Sequence, residues 1–192
     1  MIDNVSFQSR TSFVSSPTLI SSLENLPKGS FRNLDASSVR TLKPNHNYLA
    51  TTHKNSLLVI ITNGIEGVAK SISTNGNFAR SIDSISSAIE DLSKGTRKKL
   101  TAWIIGGSKV TNEECGTGTV QAVNGIADAI EKYNNVDLSI LAGSGDRCDK
   151  VFFSTNNGGL QLVLDKNINQ KEWRKSLINY FDIAELSNVS RF

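Results

Sequence analysis

The sequence predicts an α/β sandwich: a mixed sheet system carrying two main helices, with a further helix near the C-terminal end. Three observations carry this. Ser56 to Thr62 reads SLLVIIT, apolar and β-branched almost throughout, which is the pattern of a central strand buried on both faces. Phe78 to Leu92 then switches to helical spacing, with Phe78, Ile82, Ile85, Ile89 and Leu92 on one side. The strand-like segments come in consecutive runs around the helices, in the order β-β-β, α, β, α, β-β-β. That order mixes hairpins with two crossovers and places two helices on one sheet system.

The elements follow from local chemistry. Tyr48 to Thr52 is a short extended run before the central strand. Asn63-Gly64 is a turn signal, and Gly67 to Ile72 returns as the second strand of a hairpin. Leu100 to Ile105 (LTAWII) is a further strand, ending at Gly106-Gly107. A glycine-bearing loop is expected through Thr119, after which Asn124 caps a second helix, Gly125 to Tyr133, with the stripe Ile126, Ala129, Ile130 and Tyr133. Leu138 to Ala142 is a strand. Val151 to Ser154 and Leu160 to Leu164 flank Asn157-Gly158-Gly159 as a closing hairpin. Gln170 to Leu186 reads as a third helix lined by Trp173, Leu177, Tyr180 or Phe181, and Ala184. That face suits core packing or the docking of a partner.

Three regions result. Residues 1–38 form a serine-rich tail, 39–165 the α/β domain, and 166–192 a C-terminal helical extension. Ten serines fall in the first 38 residues, with only short apolar pairs such as Phe13-Val14 and Leu19-Ile20 between them. Serine competes for its own backbone hydrogen bonds, and so little apolar surface does not offset the entropy of ordering. The expectation is a flexible tail; the sharper reading is a translocation signal for a bacterial protein delivered into a host cell.

Composition narrows the function classes. The net charge of +3 (21 basic, 18 acidic residues) is too weak to argue for nucleic acid, and the basic residues are scattered apart from Lys94, Arg97, Lys98 and Lys99. Two cysteines, Cys115 and Cys148, both near glycines and expected in loops, make neither a disulfide framework nor a redox motif, which fits a reducing compartment. With only His46 and His53 beside them, no metal-ligand spacing is present, and no metal or other cofactor is expected. No apolar run approaches the roughly 18 residues that span a bilayer, and the N-terminus lacks the basic-then-apolar order of a Sec-type signal. Gly116-Thr117-Gly118 is a lone glycine-rich stretch without the rest of a dinucleotide or phosphate-loop fingerprint.

Four segments between Leu42 and Leu164 carry a likeness. They are Lys43-Pro44 with Leu49-Ala50-Thr51, then Asn55-Ser56-Leu57-Leu58-Val59, then Gly67-Val68-Ala69-Lys70, and finally Ile104-Ile105-Gly106-Gly107-Ser108. Together with the element order they resemble the chemoreceptor glutamine deamidases, the CheD family. The resemblance implies a CheD-like α/β sandwich and a site built from a threonine, a cysteine six residues later and a histidine. In this sequence the three positions hold Thr51, Leu57 and Lys70. Further departures are Val123-Asn124, where the family has Arg-Asn, and Gly143 to Arg147, which only loosely keeps its Gly-Gly-x-x-x-Arg.

The family's reaction hydrolyses a glutamine side-chain amide. A neutral amide is a poor electrophile, so the reaction needs a thiolate to form a thioester and a histidine to move the protons. Leucine has no lone pair, and a free lysine amine is protonated at neutral pH. The expectation is therefore a pseudoenzyme, a non-catalytic module that binds a glutamine-bearing or signalling protein, as in chemotaxis. The competing expectation is a divergent deamidase-type hydrolase using Cys115 as nucleophile and His53 as base. His53 lies two residues after Thr51, hence on its face if the strand continues. The setting expected is the cytoplasm, or a host cell entered through a specialised secretion system.

Overall fold

The computed structural model describes residues 18–20, 30–34, 39–75, 78–94, 98–107, 113–142, 148–155, 159–164 and 171, as backbone alone at 18–20, 113–117, 148–149 and 162–164. In chain order the strands are β1 (Thr18–Ile20), β2 (Arg32–Leu34), β3 (Arg40–Leu42), β4 (Asn47–Thr51), β5 (Ser56–Thr62) and β6 (Gly67–Ser73). Then come α1 (Ala79–Ser93), β7 (Leu100–Gly106), α2 (Glu113–Glu131), β8 (Val136–Ala142), β9 (Cys148–Ser154) and β10 (Gly159–Leu164).

The apolar run of β5 forms the centre of an inner sheet of order β3-β6-β5-β7-β8, in which β7 and β8 are parallel and the other pairs antiparallel. Alternation sorts its side chains. Leu57, Val59 and Ile61 face α1 and α2, in a core with Ile85, Ile89, Ile104, Ile126 and Ile130. Leu58 and Ile60 face the other way, toward an outer sheet of order β1-β10-β9-β4-β2, in a core with Tyr48, Trp103, Val151 and Phe153. The result is three layers: helices, inner sheet, outer sheet. A run of seven residues without alternation is the cost of being buried on both faces, and each fully buried Leu or Ile stabilises by about 1.5–3 kcal/mol.

The predicted α/β sandwich with two helices on one sheet face is the architecture found. β5 has the predicted bounds, and α1 lies within one residue of them. Turn chemistry at the β5–β6 hairpin is as read: Asn63 Oδ1 accepts from the Ile65 and Glu66 N–H groups (both 3.0 Å), and Gly64 takes φ +88°. At the other end, the Thr155 hydroxyl accepts from His46 N–H (3.0 Å) and donates to Lys43 O (2.8 Å), fixing the β3–β4 turn to the end of β9.

Four expectations are corrected. The region read as a tail contributes two strands: β1 pairs parallel with β10, and β2 parallel with β4. Each pairs along one side, and Leu34 enters the inter-sheet core, so serine density did not decide the outcome there. The second helix starts at Glu113, which makes Asn124 an interior residue rather than a cap and puts Cys115 in a helix rather than a loop. Cys148 lies on β9, also not in a loop. Arg40–Leu42 adds a strand, β3, that the sequence reading did not separate. Of the predicted helix at 170–186, Lys171 is described and is helical; the rest lies outside the described residues. None of the described helices is long and apolar enough to cross a membrane.

Candidate functional site

Of the three positions picked out by the resemblance, Leu57 lies at the Gly106-Gly107 joint that ends β7. Both glycines take positive φ, +97° and +65°, which an L side chain adopts at a cost. The turn lets the Gly107 N–H donate to Ser56 O (2.9 Å) and His53 O (3.2 Å), so β7 closes onto the β4–β5 connection. That connection is itself tight, with Ser56 N–H donating to His53 O at 3.3 Å. The end of β6 joins it, because Thr74 N–H donates to Asn55 O (3.0 Å). The N-terminal part of α2 completes the cluster: a Cβ on Gly118 would lie 2.6 Å from Thr74 O, so only glycine permits this approach.

Leu57 sits in the middle of this end and is inaccessible to solvent. It pairs with Ile72 on one side and Gly106 on the other, and its side chain points to the helix layer. A Cβ on Gly107 would lie 3.0 Å from Leu57 Cδ2 and 2.6 Å from Thr119 Cγ2. Leu57, Thr119 and the bare face of Gly107 therefore pack against one another. The place that the resemblance assigns to a reactive thiol holds a core leucine beneath α2.

Lys70 is opposite Val59, so it shares Leu57's face and lies one diagonal step away, a separation of about 7–8 Å in a typical antiparallel pair. It is half-buried at the β6 position next to the edge strand β3. Thr51 is not brought in. It lies in the outer sheet, opposite Lys150, and is exposed on the side away from the inter-sheet core. Nor does β4 continue to His53: the strand ends at Thr51, Thr52 turns inward and is buried, and His53 forms an isolated bridge with Ser56. The His53 ring is exposed while its carbonyl holds the turn. Cys115 occupies the first turn of α2, three residues before Gly118, at the same end of the inner sheet as the His53 turn.

The sequence reading missed Thr119, a fully buried hydroxyl-bearing residue against Leu57 and Gly107. The signal was available. Extending the stripe Ile126 and Ile130 backwards by helical spacing reaches Ala122, Val123 and then Thr119. Thr52 and Thr74 add two more buried threonines to this end. Elsewhere, Lys94 at the end of α1 donates to Asp91 Oδ1 (2.6 Å), a hydrogen bond that raises its pKa above the ordinary lysine value. The pair is exposed, and such pairs contribute little.

Fold and site together define a three-layer α/β sandwich in which Leu57, Gly107 and Thr119 pack against one another at the glycine-joined end. No family model matches the chain, and no curated protein matches it.

Proposed function

We propose that this protein is a CheD-like scaffold without deamidase chemistry, acting as a non-catalytic module that binds a protein partner through a glutamine-bearing or signalling segment. The observation that carries the reading is the burial of Leu57. Amide hydrolysis through a thioester needs an exposed nucleophile with a base in hydrogen-bond reach, about 3 Å. The inherited position offers an alkyl side chain packed under Gly107 and Thr119, and the base position offers an amine one diagonal step away. The serine-rich N-terminal residues are compatible with a cytoplasmic protein and with one delivered into a host cell.

The test is to incubate purified protein with helical peptides carrying glutamine, following released ammonia and peptide mass while measuring binding by fluorescence anisotropy. Saturable binding with no ammonia above buffer is the expected result. Absence of binding overturns the module reading. Ammonia release that disappears in Cys115→Ala would replace it with the divergent hydrolase, in which Cys115 attacks the amide and His53 takes its proton.

A further inference from the structure

The two sheets end in four edge strands, and one of these differs from the rest. β1, β2 and β3 are three residues long, and β2 and β3 begin with Arg32 and Arg40. Short length and charge are the usual protections of an edge against pairing with another chain. β8 closes the inner sheet with seven residues, Val136–Ala142 (VDLSILA), among which there is no lysine, arginine, proline or glycine. Among the described residues, β7 is its one neighbour in the sheet. Val136, Asp137, Ser139 and Ile140 are half-buried whereas Leu141 and Ala142 are buried, so the open stretch runs from Val136 to Ile140.

Hydrogen bonding fixes which backbone groups face outward. Leu100 N–H donates to Asn135 O (2.7 Å), and Leu100 stands opposite Val136. In a parallel ladder alternate residues of a strand bond a given neighbour. Asp137, Ser139 and Leu141 therefore bond β7, and the N–H and C=O groups of Leu138 and Ile140 point away from it. Val136 is turned the same way; its N–H donates to Tyr133 O (3.3 Å), and its carbonyl faces outward. The side chains of Val136, Leu138 and Ile140 all lie on the helix side of the sheet, against the core under α1 and α2. This row is self-complementary. About a two-fold axis at Leu138, an antiparallel second copy sets Leu138 against Leu138 and Val136 against Ile140. The two Leu138 residues then exchange N–H and C=O bonds across the axis, and each Ile140 N–H reaches the Val136 carbonyl of the other copy. On the opposite face Asp137, whose carboxylate pairs with Lys99, meets the Ser139 hydroxyl rather than a second carboxylate.

We propose that β8 pairs with β8 of a second copy, antiparallel about Leu138, joining two five-stranded inner sheets into one continuous sheet. Symmetry selects a copy as the occupant. One strand supplies donors, acceptors, apolar contacts and an uncrowded charge to itself, which is what an isologous interface requires. Backbone pairing over Val136 to Ile140 makes a small interface, so the dimer forms and dissociates with concentration. The inference is independent of the functional reading, since it uses neither Leu57 nor Lys70.

Sedimentation velocity on the full chain over a dilution series tests it, with amide hydrogen exchange read residue by residue on the same samples. The expected result is a reversible shift from the 20.8 kDa monomer toward twice that mass, with the Leu138 and Ile140 amides slowing as concentration rises. Ser139→Asp sets carboxylate against carboxylate at two symmetric places and should weaken the dimer by roughly 3–30-fold, whereas Ser139→Lys should hold or tighten it. Circular dichroism verifies that both variants fold. A monomer at every concentration overturns the proposal. So does a dimer in which both amides exchange as they do in the monomer, or in which the two Ser139 variants behave alike. Protection of both amides already in the monomer would mean that the chain covers its own edge. Protection only on adding a glutamine-bearing peptide would give the edge to a different occupant, and either outcome overturns self-pairing.

Discussion

At the scale of single residues, Leu57 separates a packing role from a chemical one. It has no solvent exposure and is enclosed by Ile72, Gly107 and Thr119. Truncating such a side chain removes its transfer free energy and leaves a cavity that a sheet centre closes poorly. Leu57→Ala is expected to cost about 2–5 kcal/mol, read as a lower urea midpoint with an unchanged slope. A loss below about 1 kcal/mol would mean that the position tolerates open space, as an active-site pocket does. The sequence alone disclosed the identity of this residue but not its enclosure. Which side chains lie over a strand depends on where a distant helix lands, and Thr119 is 62 positions further along the chain.

At the scale of elements, what was legible depended on whether local preference and tertiary packing agreed. β5 and α1 were readable because a β-branched run and an apolar stripe at helical spacing favour the conformations that packing also demands. The first three turns of α2 were not, because Gly116 and Gly118 are poor helix formers and read as loop. Gly118 and Gly125 stand in the helix for a different reason. Gly118 lets α2 approach the Thr74 carbonyl, and Gly125 lets it approach α1 at Phe78 and Ile82. β1 and β2 were missed on similar grounds, since three-residue strands owe their existence to partners far away in sequence. Competing magnitudes then predict a ranking. Glycine to alanine in a helix interior gains about 1 kcal/mol of propensity. At Gly118 the new methyl would meet a fixed backbone oxygen at 2.6 Å, so Gly118→Ala should be net destabilising by about 1–3 kcal/mol. At Gly125 it would meet the half-buried Phe78 ring at 2.7 Å, which can turn aside, so Gly125→Ala should stay within about 1 kcal/mol of wild type. Urea denaturation of the two variants side by side decides this, and the reverse order would refute the close-approach explanation.

At the scale of the whole molecule, the inner sheet couples two cores that have no other shared layer. β5 and β7 each contribute alternate residues to both: Leu57, Val59, Ile61, Ala102 and Ile104 to the helix side, and Leu58, Ile60, Trp103 and Ile105 to the sheet side. Losing either core therefore strips one face of the same strands. Unfolding should consequently be one cooperative transition despite the layered architecture. Trp103 reports the inter-sheet core, being 2% exposed with its ring 5.8 Å from Phe153. Amides in α1 and α2 report the other core. With Trp173→Phe to leave a single fluorophore, Trp103 emission and far-ultraviolet circular dichroism should give coincident urea transitions. The slowest-exchanging amides of α2 and β9 should show the same opening free energy. Two separated transitions, with the helix layer opening first, would show instead that the inner sheet and outer sheet persist without α1 and α2. In that case the enclosure of Leu57 would be a removable cover, and the end of the molecule at Gly107 could open without global unfolding.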